Sequence, residues 1–319
     1  VFTETRQWQI AADTAFTSTQ TGNWNIGTTW GGACSSSCTE GTDYPGINDS
    51  ATIANGTTVT ITANASSTSV TINNGGTLNT SGTPILNLTP AAAGTAFTNS
   101  GTFTAGNSTV KITSDAAITL LSGSFIGSNA FNIFQLTPTI TAARTYTFGA
   151  AASTTGNFDI NATKTTATAA SLTGNMGGAI TVGATATTTI QGTTNGRANL
   201  QTTAANSYAL NTGHLNIVTN GTLTANAATI TLNGSDANGI LFTRTGSFTR
   251  GTSTVVMNPD VAVILTSGVF GPSSNSFNNL TLSPTITDNR TYTFNSSAVT
   301  VAGNLIINWI CRHRLPSVS

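Results

Sequence analysis

The chain is 319 residues long, with ten basic and ten acidic side chains, so its formal net charge is zero and only 6% of it is charged, against roughly 25% in an average globular protein. Without a basic excess there is nothing to neutralise a phosphate backbone, which argues against a nucleic-acid partner. Nor does the chain combine high net charge with few apolar residues, as disordered segments do: 38% of it is hydrophobic. Its surface must be covered largely by Thr, Ser, Asn and Gly, the composition expected of an uncharged extracellular β-protein.

Residues 1–55 read as an opening or capping segment. Three of the four tryptophans, Trp8, Trp24 and Trp30, crowd into it, and covering the end of a core is their simplest role. "GGACSSSCTEG" places Cys34 and Cys38 four residues apart, and in an extracellular protein the expected outcome is a small-loop disulfide. A metal site would need two more Cys or His ligands nearby, whereas His214 and His313 are remote in sequence. Cys311 is left without an assignment. Glu40, Asp43 and Asp49 form the one local cluster of acids, in a turn-rich stretch where Asx turns explain them. The chain starts at Val1 with no charged-then-apolar leader, as expected for a mature secreted protein or a fragment. No apolar run approaches the ~20 residues of a membrane helix, so no membrane span is expected.

From residue 56 onward, apolar residues arrive in alternating pairs: Val59 and Ile61, Val70 and Ile72, Val110 and Ile112, Tyr146 and Phe148, Phe158 and Ile160. Period two puts one face inward and one outward, which predicts strands. Threonine fills many intervening positions, where its branched Cβ suits a pleated surface. Gly, Asn, Ser and Pro punctuate the pairs. The chain is therefore expected to be all-β.

It also repeats itself. "PTITAARTYTF" from Pro138 returns as "PTITDNRTYTF" from Pro284, "GTFTAGNSTVKI" from Gly101 as "GSFTRGTSTVVM" from Gly246, and "GNFDIN" from Gly156 as "GNLIIN" from Gly303. The division expected is a first copy over 56–161, connecting coils over 162–214, a second copy over 215–308 and a basic tail over 309–319. Short regular strands with sparse charge and no Pro-rich linker favour one parallel β-solenoid (β-helix) with an internal duplication; tandem β-sandwich domains are the alternative.

The runs "GNWNIGTTWGG" from Gly22 and "YPGINDSATIANGTTVTI" from Tyr44, with the later units "GTSTVVMN", "FNNLTLSPTI" and "VAGNLIIN", resemble repetitive bacterial surface proteins of the parallel β-helix, autotransporter-passenger-like adhesin type. The resemblance implies a secreted, surface-associated adhesin or fibre and carries no catalytic residues. The C-terminal "CRHRLPSVS" departs from that pattern.

Chemistry is sparse. No nucleophile elbow, zinc-binding His-Glu-x-x-His or phosphate-binding loop occurs, and no cofactor, metal or enzymatic activity is expected. Asp115 and Asp260 are equivalent between the copies, as are Arg144 and Arg290, which points to the unit's own structure. Thr rows could meet surface glycans, but their interval along the chain varies, as for ordinary strand threonine. Sequons at Asn48, Asn55, Asn107, Asn220 and Asn279 are candidate glycosylation sites in a glycosylating cell. The alternating "VTVAGNLIINWI" runs to Trp309 with little after it, and an apolar coil end of this kind is expected to dock to another subunit, head to tail, as a fibre. A carbohydrate-binding or carbohydrate-degrading β-helix is the alternative.

Overall fold

The computed structural model describes residues 14–91, 93–164, 168–271, 275–295, 298–308 and 310–311. Trp8, Trp309 and His313 lie outside these residues, as does the basic tail beyond Cys311.

The alternation resolves into coils of three short strands. One coil runs Ser69–Ile72, Thr77–Thr80 and Ile85–Leu88, and the chain then returns to Thr95–Asn99 beside the strand it started from. Every ladder between the strands is parallel. The first face is a ten-stranded sheet from Ala15–Thr17 to Ser247–Thr249, and the third is a ten-stranded sheet from Ala65–Ser67 to Tyr292–Asn295. The second face has four strands from Gly22–Asn23 to Thr102–Thr104, then seven from Ala152–Thr154 to Leu305–Ile307. Phe125 and Phe131 span the break through bridges to Ala152 and Thr154. The fold is thus an all-β parallel solenoid, and the ladders cross residues 161 and 214 without interruption.

Inward residues of all three faces merge into one buried core. Because coils stack in register, like falls on like: Val70 on Phe97, Ile160 on Ile190, Leu200 on Leu223. Threonines align outside in the same way. Thr145, Thr173, Asn199, Thr222 and Ser247 lie opposite one another in a single row. The variable interval seen along the chain is absorbed at the corners and leaves the rows straight.

The duplication is faithful in three dimensions. Phe97 meets Phe103 and Phe125 edge-on, with centroids 5.1 Å away in each case, while Phe125 and Phe131 stack at 5.0 Å. Phe242 meets Phe248 at 5.6 Å and Phe270 at 4.9 Å, and Phe270 stacks on Phe277 at 5.0 Å. Gly123 and Gly268 close equivalent strands at φ of +98° and +111°, and a Cβ on either would lie 2.0 or 2.1 Å from the carbonyl oxygen of Asn99 or Arg244 one coil earlier. Only glycine fits there.

The copies are nonetheless out of phase. Thr102–Thr104 is on the second face, but its counterpart Ser247–Thr249 is on the first. Thr109–Ile112 moves from the third face to the second as Thr254–Met257, and Ile118–Gly123 from the first to the third as Val263–Gly268. The repeated unit therefore holds a non-integral number of coils, and the second copy is turned by one face.

Candidate functional site

At the N-terminal end, Trp24 and Trp30 are buried and pack edge to face with centroids 5.1 Å apart. The Trp30 indole N–H donates to the Trp24 carbonyl at 2.7 Å, and that of Trp24 to the Pro45 carbonyl at 3.3 Å. Phe16 closes the group 6.2 Å from Trp30. A one-turn 3-10 helix, Gly27–Trp30, carries Trp30 and leads into a loop closed by the Cys34–Cys38 disulfide. The two sulfurs and the Asp43 carboxylate lie within 4.8 Å of one another. Only a reduced pair could offer thiolates to a metal there.

The acid cluster of this segment is mostly committed to the backbone. Asp43 accepts the Thr39 N–H at 2.8 Å. Asp49, one of the acids read as Asx-turn formers, is buried, its two oxygens accepting the N–H groups of Thr14 at 3.0 Å and Gly46 at 2.8 Å. It ties the strand entering the first coil to the turn before the second. Beside it Tyr44 has its hydroxyl pKa raised, by burial first and by Glu40 and Asp43 next.

The Asp and Arg equivalents build the same device twice. Asp115 accepts the Thr141 N–H at 3.0 Å and hydroxyl at 2.6 Å, and the Arg144 Nε at 2.8 Å; Arg144 Nη2 reaches the Thr141 hydroxyl at 3.2 Å. Asp260 accepts the Thr287 N–H and hydroxyl, each at 3.0 Å, with Arg290 Nε 3.5 Å away and Arg290 Nη2 3.3 Å from the Thr287 hydroxyl. Tyr146 donates to the Ser114 carbonyl at 2.6 Å and Tyr292 to that of Pro259 at 2.8 Å. Burial works against ionisation of Asp115, but hydrogen bonds from Thr141 and Arg144 outweigh it and hold the carboxyl below its usual range. At Asp260 the Thr287 amide leads the same downward shift. Each is a corner staple joining successive coils, and its carboxylate is spent on that task.

His214 is buried between two threonine hydroxyls, 3.4 Å from Thr187 and 3.1 Å from Thr243. Burial holds its imidazole below the ordinary range, with Asp236 opposing. Unfolding returns it to a pKa of about 6.5, so below that pH the unfolded chain binds the extra proton more readily and stability falls as pH drops. The urea midpoint is expected to be lower at about pH 5.5 than at about pH 7.5, and His214→Asn should shrink that difference. An unchanged difference in the variant would assign it to other groups.

Among the sequons, Asn48, Asn55 and Asn107 are exposed. Asn220 is half-buried at φ +60° and donates to the Thr193 carbonyl at 2.8 Å, and Asn279 accepts the Asn304 N–H at 3.0 Å. A glycan on Asn220 would be attached through the nitrogen that makes this bond between coils, whereas the Asn279 Oδ1 would keep its own.

At the C-terminal end the core comes to the surface. Phe294 is 39% exposed, Leu305 55% and Ile307 57%, whereas their first-copy counterparts Phe148, Phe158 and Ile160 are 0%, 1% and 0% exposed. Tyr292–Asn295 and Leu305–Ile307 are the outermost strands of their sheets among the described residues. Between them opens a cavity of about 560 Å³ lined by Leu265, Leu282, Ile286, Tyr292, Phe294 and Ile307. The sequence signal for this end was the alternating run before Trp309; nothing in it distinguished the exposed Phe294 from the buried Phe148.

No helix among the described residues is long and apolar enough to cross a membrane. No curated protein and no solved structure matches the chain. Residues 30–173, from the second cap tryptophan through part of the Ala170–Met176 strand and so less than half of the chain, are similar to the G8 domain family.

Proposed function

We propose that this chain is a structural β-solenoid of the extracellular space or cell surface, part of a fibre or adhesin in which units join end to end. The carrying observation is the exposed apolar row of Phe294, Leu305 and Ile307, whose first-copy counterparts are buried, on the outermost described strands of their sheets. An unpaired sheet edge over such a row is a template for further strands. The G8 match supports an extracellular setting, where such domains are typically found, and a disulfide suits an oxidising compartment. We read the chain as non-enzymatic, because Asp49, Asp115 and Asp260 are each engaged in holding the backbone.

Negative-stain electron microscopy across a concentration series, with light-scattering mass, tests this. Rods should lengthen with concentration, and Leu305→Asp with Ile307→Asp should stop the growth. A monomer at every concentration would overturn the end-to-end part. One feature favours a second reading, binding of a neutral glycan: the straight row of Thr145, Thr173, Asn199, Thr222 and Ser247 carries hydroxyls and amides without charge. Retention on insoluble neutral polysaccharides, lost on Thr173→Lys, would support it.

A further inference from the structure

The internal copy shows what belongs on the open end. In the first copy the cavity's counterparts Leu120, Leu136, Ile140, Tyr146 and Phe148 are all buried. The strand laid on the Tyr146 and Phe148 part of that surface is Ala170–Met176, which pairs in parallel with Arg144–Phe148. Leu172 lies opposite Arg144, Gly174 opposite Tyr146, and Met176 opposite Phe148. A Cβ on Gly174 would sit 3.5 Å from the Phe148 ring and 3.7 Å from Ile160. A methyl group would fit there and a larger side chain would collide with the ring. In the second copy the Asp, Thr, Arg and Tyr of the corner staple recur, as do the aliphatic walls; Ile310–Cys311 pairs with Thr285–Ile286, but no described strand lies outside Tyr292–Asn295.

We infer that the groove along Tyr292–Asn295 is a strand acceptor, and that its partner is an extended segment from another chain. That segment adds in parallel and carries leucine, glycine and methionine, or residues of those sizes, at alternate inward positions opposite Arg290, Tyr292 and Phe294. Outward positions of the donor are uncharged, as Thr173 and Asn175 are in the internal example. Parallel addition supplies the backbone hydrogen bonds, and the pockets select side chains at every second residue. The inference rests on the proposed end-to-end assembly and specifies which surface receives the next unit and what it receives.

A labelled peptide copying residues 168–178 is the probe, titrated into the full chain while fluorescence anisotropy is read. Saturable one-to-one binding is expected. It should weaken roughly tenfold or more when the peptide carries Gly174→Leu, or when the protein carries Phe294→Asp, since each removes the apolar fit that holds the strand. Phe294 is partly exposed, so that variant should keep the parent's circular dichroism. No binding, or binding indifferent to both changes, overturns the acceptor. A second variant replaces residues 309–319 by residues 162–192, continuing the copy in phase. It should unfold at a higher temperature than the parent and lose peptide binding, and a chimera with unchanged stability that still binds peptide would also overturn it. Peptide binding by a chain that stays monomeric would keep the acceptor and remove self-assembly. Filaments that grow undisturbed by saturating peptide would keep assembly and remove this groove from it.

Discussion

Phe97→Ala is expected to lower the unfolding free energy by about 3–5 kcal/mol, and Phe242→Ala by a similar amount. Each ring is fully buried at the centre of an aromatic group repeated in both copies. The cavity left behind cannot collapse easily, because the surrounding backbone is fixed by ladders to the coils on either side. Solenoid stability is close to a sum of local terms. Hydrogen exchange should therefore accelerate mainly in the coils adjoining the substitution, and the two losses should add in the double variant. Urea unfolding of the three variants checks the magnitudes. A single-site loss under about 1 kcal/mol would mean that these rings are not packed as described.

Asp49→Ala should cost about 2–3 kcal/mol, because it leaves the buried N–H of Gly46, and the N–H of exposed Thr14, without their charged acceptor. The damage should stay near the N-terminal end. Amides of Ser50–Ile53 should lose protection, and the emission of Trp24 and Trp30 should move to the red as water reaches them. Asp49→Asn keeps one acceptor oxygen and should fall between parent and alanine variant. Unchanged tryptophan emission in Asp49→Ala would show that the carboxylate does not hold the cap shut.

The features most legible in the sequence were those written at short range. Pairs such as Val110 and Ile112 alternate in the chain and are buried in the fold, because period two along a strand has no other reading when one side faces a core. The duplication was equally legible, and the paired Asp and Arg were rightly read as belonging to the repeated unit. Two kinds of information were hidden. In-and-out alternation says nothing of which of three faces a strand joins, so the turned phase of the second copy could not be seen. Coil length is no guide either, since Ser50 lies opposite Ser69 and Arg144 opposite Leu172, intervals of 19 and 28 residues. Asp49 reads as one more acid in a polar turn. One of its two partners is Thr14, a residue 35 positions away that meets it only once the coil has closed.

The one-face rotation between the copies has a geometrical consequence. Each duplicated surface group points in a direction a third of a turn away from its twin around the long axis. A flat partner touching the corner of Thr141 and Arg144 cannot also lie against that of Thr287 and Arg290, and a ligand reaching both would have to wind around the rod. Doubling the unit therefore added length without creating a bivalent side. Elongation by such units spreads whatever each one displays around the circumference, so a long rod would meet its surroundings alike from every direction.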